Sequence, residues 1–260
     1  MAVGEFEIIS EIEPATRPDL MRVRHQIGVL SRVSGAFLIP DNHIGRATVS
    51  SIAVAHEVEL MGGRAIACIN ARDRNVLGFQ RDLLTAAAYG VKEFLFVYGD
   101  RPESGSRSDD LSVRSMLVEA RQFTGRADPG RPLRIGVTSG LRPLPRWKQE
   151  ADFLFARVSF SAAALVEWRS SIEFDGPVYA GVMVVPSVAM ARKLSTEIPE
   201  LAIPDEITGR LDGDGNAGIE IALDLVREIR ASGAFDGVHL IPVNRYREVA
   251  MLLERLVTEV

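Results

Sequence analysis

Eight short apolar runs, rich in Val, Ile, Leu and Phe, recur along the chain and are separated by longer amphipathic segments. This alternation predicts parallel strands that are joined by helices. Runs such as AIACI (65–69) and FLFVY (94–98) are apolar on both faces, as strands covered on both sides must be. The predicted strands lie at 6–10, 36–39, 65–69, 93–98, 134–138, 152–158, 178–184 and 237–243.

The number of repeating units distinguishes two parallel architectures. Eight units over about 250 residues match a (βα)8 barrel, whereas an open doubly wound sheet usually has fewer strands and a glycine-rich turn after the first. Here the first strand is followed by EIEPATRP, which has no glycine. We therefore expect an α/β fold, a single (βα)8 barrel domain over residues 1–260. Helices are predicted near 18–33, 46–61, 76–89, 109–123, 143–150, 161–171, 187–195, within 204–234 and at 245–258.

Composition limits the classes of function. Apolar residues make up 47% of the 260 residues and charged residues 25%, an ordinary globular balance. No apolar stretch approaches the ~20 residues that span a bilayer, and the start MAVGEFEII lacks the features of a signal peptide. With one cysteine, Cys68, and a net charge of −5, we expect a cytoplasmic protein that binds neither membranes nor nucleic acid. Nothing in the sequence indicates an oligomeric state.

In a barrel of this kind the active site lies at the carboxyl ends of the strands. Residues just after each predicted strand should therefore meet at one mouth. They form a polar ring, suited to an anionic or polar heterocyclic small molecule. The ring consists of Glu11, Glu13, Asp41, Asn42, His43, Asn70, Arg72, Asp73, Asp100, Ser139, Arg157, Ser159, Pro186, Ser187, Asn244 and Arg245.

Each of these residues also has a purely structural interpretation. Asp100, after Gly99, could cap a turn. Glu11 could be a solvated rim residue, although its apolar neighbours Ile9 and Ile12 favour a raised pKa and proton donation. In NARDRN (70–75), Asp73 or Asn75 could be a helix N-cap, while an arginine there could bind phosphate.

Several common chemistries are disfavoured. The four histidines fall in unrelated elements, which argues against a metal site. The segment DGDGNAG (212–218) begins like a calcium loop but lacks the required glycine and the bidentate acid, so we interpret it as a turn. No Walker A loop, Gly-x-Ser-x-Gly motif or Cys–His pairing is present.

The stretch ARDRNVLGFQRDLLTAAAYGVKEFLFVYGDRP (71–102) resembles the central segment of methylenetetrahydrofolate reductases. SEIEPA (10–15) is similar to the family's first strand, GIEIALDLVREI (218–229) to its penultimate helix, and GVHLIPVNR (237–245) to its last strand. ADFLFARVSF (151–160) matches its sixth strand. The likeness covers nearly the whole chain in order, and this family also folds as a (βα)8 barrel.

The resemblance implies a role for several residues. Glu11 matches the acid that helps open the five-membered ring of methylenetetrahydrofolate, and Asp100 matches the carboxylate that stabilises the developing cation. On the folate side the resemblance places Asn244, Arg245, Arg157 and Phe160. We assign cofactor binding to residues after the second and third strands, namely Asp41, His43, Asn70 and Arg72.

The departures from the family lie mainly on the flavin side. The family usually binds FAD with a histidine in its third-strand motif, where this chain has Cys68-Ile69-Asn70-Ala71. The fifth strand, IGVTSGL (135–141), lacks the family's tyrosine and histidine. A folate-side glutamine is replaced by Arg157. We expect NADH or NADPH as the hydride donor and weak or absent FAD binding.

The leading hypothesis is therefore an NAD(P)H-dependent reductase that converts 5,10-methylenetetrahydrofolate into 5-methyltetrahydrofolate. Two alternatives remain open at this stage. One is a tetrahydrofolate-dependent methyltransferase. The other is a folate-binding barrel without catalysis.

Overall fold

The computed structural model describes residues 6–127, 132–198, 201, 203–212 and 216–258. Eight parallel strands close into a barrel in the order β1 to β8, as predicted. Every predicted strand forms, with its ends shifted by at most two residues. The strands are β1 Glu7–Glu11, β2 Ala36–Ile39, β3 Arg64–Asn70, β4 Glu93–Val97, β5 Arg134–Ser139, β6 Phe153–Val158, β7 Val178–Met183 and β8 Gly237–Ile241.

Helices follow the strands on the outside of the barrel. They are α1 Met21–Leu30, α2 Ser51–Leu60, α3 Val76–Ala88, α4 Val113–Ala127, α5 Ala162–Ser170, α6 Val188–Glu197, α7 Asp205–Arg210, α8 Ala217–Ser232 and α9 Tyr246–Thr258. Two 3-10 turns span His43–Gly45 and Arg146–Glu150. None of the described helices is long and apolar enough to cross a membrane. Of the predicted turn at 212–218, residues 213–215 lie outside the described part.

The second helix begins at Ser51 instead of residue 46. The backbone N–H of Thr48 donates to the Asn42 side chain at 3.2 Å, and the N–H of Val49 donates to the carbonyl of Ala15 at 2.8 Å. These bonds satisfy the backbone in a loop conformation, so the helical pattern of the sequence is overridden locally. The segment between β2 and α2 is consequently tied to the segment after β1.

The barrel interior is filled by apolar side chains that alternate with outward-facing ones. The inner cluster comprises Ile9, Ala36, Leu38, Ile66, Cys68, Leu95, Phe153, Phe155 and Tyr179. On β5 the interior has no room for a side chain at Gly136, because a Cβ there would lie 2.0 Å from the Phe153 ring. The remaining apolar faces pack against the helices in two larger clusters. These layers are typical of a filled (βα)8 barrel.

Charged side chains close the amino-terminal end of the barrel. Arg64 donates to Glu7 and to Glu93, both at 2.6 Å, and Arg134 donates to Glu93 at 2.9 Å. The Tyr179 hydroxyl donates to Glu7 at 2.9 Å. Burial, followed by the negative charge of Glu7, raises the pKa of this tyrosine. All five residues lie at or near the beginning of their strands, so this network lies at the end opposite the mouth.

Candidate active site

Glu11, the last residue of β1, faces His239 of β8 at the mouth of the barrel. Closure of the barrel pairs Ile9 with His239, which places Glu11 two residues nearer the mouth on the adjacent strand. The Glu11 Oε2 atom lies 3.2 Å from His239 Nε2, and the two side chains are only 14% and 10% exposed. The contact is short but poorly aligned, so buried Nε2 has no hydrogen-bond partner among the described residues.

His239 is a functional candidate that was not predicted from the sequence. The four histidines raised only the question of a metal site, and none lies near another in the chain. The available signal was its place in GVHLI, where period-2 alternation directs a single polar side chain inward. Its ring also packs edge-on against Phe155, with centroids 5.3 Å apart.

The thiol of Cys68 lies close to this acid. Burial raises its pKa well above the usual value, and the negative charges of Glu11 and Asp41 raise it further. The thiol therefore stays protonated and uncharged. It occupies the strand position of the family's flavin-contacting histidine without offering a comparable hydrogen-bonding group.

The predicted cofactor residues Asp41 and Asn70 belong to an internal network after β2 and β3. The Asn70 amide donates to Asp41 Oδ2 at 2.9 Å and to Asp73 Oδ2 at 2.8 Å, and Arg74 Nη1 donates to Asp41 at 2.7 Å. The Asp41 and Arg74 side chains are only 6% and 15% exposed. These contacts use the polar groups that a ligand would need, although the assignment of Asp41 and Asn70 to cofactor binding stays a prediction. The N-cap of α3 is Asn75, whose side chain accepts from Gly78.

Asp100 is exposed and accepts a hydrogen bond from the backbone N–H of Ile44, at 2.8 Å. Gly99, with φ of +95°, precedes it, and a Cβ there would lie 2.8 Å from the Cβ of Asn70. Only glycine fits this close approach and this backbone conformation. Asp100 therefore leaves β4 in a fixed direction and holds the loop after β2.

Two further contacts join these loops. The Glu103 N–H donates to the Gly45 carbonyl at 3.0 Å, and Arg46 Nε donates to Glu103 Oε1 at 2.6 Å. The loops after β2 and β4 thus meet beyond the end of β3. This arrangement encloses the part of the mouth nearest the Asp41–Asn70 network.

Arg72 extends from the end of β3 over an aromatic ring. Its guanidinium carbon lies 4.8 Å from the centroid of Tyr98, a distance typical of cation–π contact. Its Nε atom is buried and has no hydrogen-bond partner among the described residues. The phenol of Tyr98 accepts from Arg107 at 3.3 Å. Arg72 is half-buried, and its positive charge lies over the Tyr98 ring.

The loop after β8 is strained. Val243 and Asn244 both have positive φ, of 42° and 62°, which costs about 1–3 kcal/mol for each such residue. Arg22 donates to the Asn244 side chain. Arg245 donates to Glu248 at 2.8 Å and to Asn216 at 3.0 Å, so both predicted folate residues are held by protein contacts.

Two cavities lie on opposite sides of the mouth. The first, of about 590 Å³, lies between the loops after β1 and β2, and we call it the β1–β2 cavity. The second, of about 250 Å³, lies beside the ends of β5 and β6, and we call it the β5–β6 cavity. His43 lines the β1–β2 cavity, and Arg157 and Phe160 line the β5–β6 cavity. The structure thus separates the predicted cofactor residue His43 from these two predicted folate residues.

Solved structures with similar folds support the barrel architecture. An uncharacterized protein from Clostridium thermocellum that binds two copies of 5-methyl-5,6,7,8-tetrahydrofolic acid is 10% identical, with a TM-score of 0.65 over 98% of this chain and 96% of that one. The long-chain alkane monooxygenase LadA is 9% identical, with a TM-score of 0.60 over 98% and 92%. A tryptophan synthase structure from M. tuberculosis is 14% identical, with a TM-score of 0.54 over 98% and 93%. At these identities the likeness concerns the fold alone.

The carboxyl-terminal part of the sequence matches a family model. The family model of methylenetetrahydrofolate reductase matches residues 146–257, which run from the second 3-10 turn through α9. This match contains His239 and Arg245, whereas Glu11 and Asp100 lie outside it. This part of the chain is similar to methylenetetrahydrofolate reductases, and the whole chain has the (βα)8 barrel fold.

Proposed function

We propose that the protein reduces 5,10-methylenetetrahydrofolate to 5-methyltetrahydrofolate with NADH or NADPH as the hydride donor. The observation that carries this proposal is the Glu11–His239 pair at the mouth of the barrel. Glu11 is a nearly buried carboxyl group, and such a group can deliver a proton to a bound substrate. The tetrahydrofolate bound to the Clostridium thermocellum protein of similar fold adds support for a folate substrate.

In this mechanism Glu11 protonates N10 of the folate, and the bond between N10 and the methylene carbon breaks. The resulting N5 iminium ion carries a positive charge, which a nearby carboxylate stabilises. Asp100 is the candidate for that role. Hydride from the dihydronicotinamide then reduces the methylene carbon to a methyl group. His239 Nε2, 3.2 Å from the Glu11 carboxyl, is the candidate for orienting that carboxyl during proton transfer.

The residues around the end of β3 do not fit a flavin bound in the family's usual manner. The strand position of the flavin-contacting histidine is Cys68, which is buried and uncharged. Asp41 and Asn70 bond to one another and to their neighbours. The joined loops after β2 and β4 cover the space beyond them. We therefore propose direct hydride transfer from the nicotinamide.

The Glu11→Gln variant tests the proposal. Glutamine keeps the shape of the side chain but cannot donate an acidic proton, so kcat should fall by roughly 100- to 10,000-fold. Oxidation of NADH and NADPH would be followed with methylenetetrahydrofolate, with and without added FAD. Glu228→Gln, an exposed change on α8, is the matched control and should keep full activity. An unchanged rate in Glu11→Gln, or an inactive wild-type protein, would refute the proposal.

The absorbance spectrum of the purified protein tests the flavin separately. Bound oxidised flavin absorbs between about 350 and 500 nm, and we expect no such band. A stoichiometric flavin band would contradict direct transfer.

One observation favours a second candidate, a tetrahydrofolate-dependent methyltransferase or a folate-binding barrel. The Clostridium thermocellum protein is described as a binder of 5-methyl-5,6,7,8-tetrahydrofolic acid, which is a methyl carrier as well as a reduction product. Methyl transfer without any reduced nicotinamide would identify the transferase. Folate binding that survives substitution of Glu11 and Asp100, without turnover, would identify the binding protein.

A further inference from the structure

The two cavities at the mouth differ in position and in charge. In a closed ring of eight strands, the β1–β2 and β5–β6 positions are diametrically opposed. The β1–β2 cavity is lined by three arginines and two carboxylates, whereas the β5–β6 cavity combines two arginines with Leu141, Phe160 and Leu201. The β1–β2 cavity thus has more charged side chains than the β5–β6 cavity.

Arg17 gives the β1–β2 cavity an unneutralised positive charge. Its side chain is exposed, and it has neither an ion-pair partner nor a side-chain hydrogen bond within the described part of the chain. Arg22 is paired with Glu13 at 2.9 Å. His43 also lines the cavity, and the buried Thr48 Oγ1 has no hydrogen-bond partner among described residues. These groups suit an anion with several oxygen acceptors, such as a diphosphate.

The walls of this cavity are fixed before any ligand binds. Val49 N–H donates to the Ala15 carbonyl and thereby joins the two loops that form the cavity. Ile44, on the other wall, is held by the carboxylate of Asp100 at 2.8 Å. A preformed site loses little conformational entropy on binding, which favours affinity for a dinucleotide.

We propose that the β1–β2 cavity binds the diphosphate of the nicotinamide dinucleotide while the folate occupies the β5–β6 side of the mouth, so that both ligands are bound at once. This inference rests on the proposed function, because direct hydride transfer needs donor and acceptor together. The C4–H bond of the dihydronicotinamide breaks, and its hydrogen and electron pair form a C–H bond on the methylene carbon. The dinucleotide leaves as NAD(P)⁺, and the proton on N10 comes from Glu11.

Initial-rate kinetics and a single variant test this arrangement. With both substrates varied, simultaneous binding gives intersecting reciprocal plots. Arg17→Ala removes one charge-assisted contact with the diphosphate, so it should raise KM for the dinucleotide about tenfold. It should leave KM for folate within about twofold. Arg17→Lys should recover part of the loss. Arg81→Ala, on an exposed side chain of α3, is the matched control and should change neither constant.

Direct binding separates this inference from the proposed function. NADPH and NADH would be titrated into the wild-type protein and Arg17→Ala, with dinucleotide fluorescence as the readout. Binding that weakens about tenfold in Arg17→Ala supports the site even if the wild-type protein does not reduce methylenetetrahydrofolate. Three results would overturn the site: parallel reciprocal plots, equal dinucleotide affinity of the wild-type protein and Arg17→Ala, or no dinucleotide binding to the wild-type protein. Parallel plots or equal affinities would still be compatible with reductase activity.

Discussion

Gly99→Ala is the change whose cost follows most directly from the structure. The backbone at Gly99 has φ of +95°, and a left-handed conformation costs an L-residue about 1–2 kcal/mol. In addition, the new Cβ would lie 2.8 Å from Asn70 Cβ, so Asn70 must move. Its amide holds Asp41 and Asp73 at 2.9 and 2.8 Å, and weakening such bonds costs about 1 kcal/mol each.

A second glycine in the same loop separates the two effects. Gly105 has φ of +81°, and a Cβ there would meet nothing within 4 Å. Gly105→Ala therefore carries the backbone cost alone. Because alanine also restricts the unfolded chain by about 0.4–1 kcal/mol, we expect a net loss of about 1 kcal/mol for Gly105→Ala and about 3 kcal/mol for Gly99→Ala.

Urea unfolding followed by circular dichroism measures both free energies of unfolding. In thermal melts, the two variants should lose about 2 °C and about 6 °C in Tm, at roughly 2 °C per kcal/mol for a chain of this size. Gly99→Ala should also lower the proposed reductase activity, because displacement of Asn70 disturbs the neighbouring Asp100. Equal destabilisation by the two substitutions would refute the close approach of Gly99 to Asn70.

Three further predictions concern stability and reactivity. Glu93→Gln weakens two ion pairs at the amino-terminal end of the barrel, with a carboxylate only 12% exposed, and should reduce the free energy of urea unfolding by about 2 kcal/mol. Tyr179→Phe should cost about 1 kcal/mol at neutral pH, because its bond to Glu7 is lost. Because the pKa of Tyr179 is raised in the folded protein, its contribution to the free energy of unfolding is fully present below the ordinary tyrosine pKa, about 10, and is lost as the pH rises above it. Denaturant titrations of Tyr179→Phe should therefore show a shallower decline of this free energy at alkaline pH. Cys68 should resist iodoacetamide in the native protein and react on unfolding, as mass spectrometry would show, because burial raises the pKa of its thiol.

The barrel could be predicted because its signals are local and repeated. Each strand is a short apolar run, and the run around Ile66 and Cys68 is apolar on both faces because one face meets the interior and the other meets the helices. The beginning of α2 could not be predicted. It depends on the bond between Val49 and Ala15, two residues that are far apart in the chain.

The candidate site could likewise be predicted only in part. Glu11 and Asp100 follow predicted strands, so their position at the mouth could be inferred from the sequence. The partner of Glu11 could not, since the contact with His239 arises only when β8 closes against β1. Nor does the sequence distinguish a ligand-binding polar side chain from one that bonds to its neighbours, as Asn70 does. That distinction depends on three-dimensional distances.

The charged network closes the amino-terminal end of the barrel, so the barrel is open at the mouth, where the carboxyl ends of the strands lie. Beneath Glu11 lie Ile9 and the aromatic rings of the interior, and beneath those lie the paired side chains around Arg64. The apolar side chains directly beneath Glu11 are buried. In the proposed mechanism, the proton that Glu11 gives up would therefore return through the mouth, the same route by which the proposed ligands would enter and leave. In that mechanism, the return of a proton to Glu11 would be coupled to the release of product.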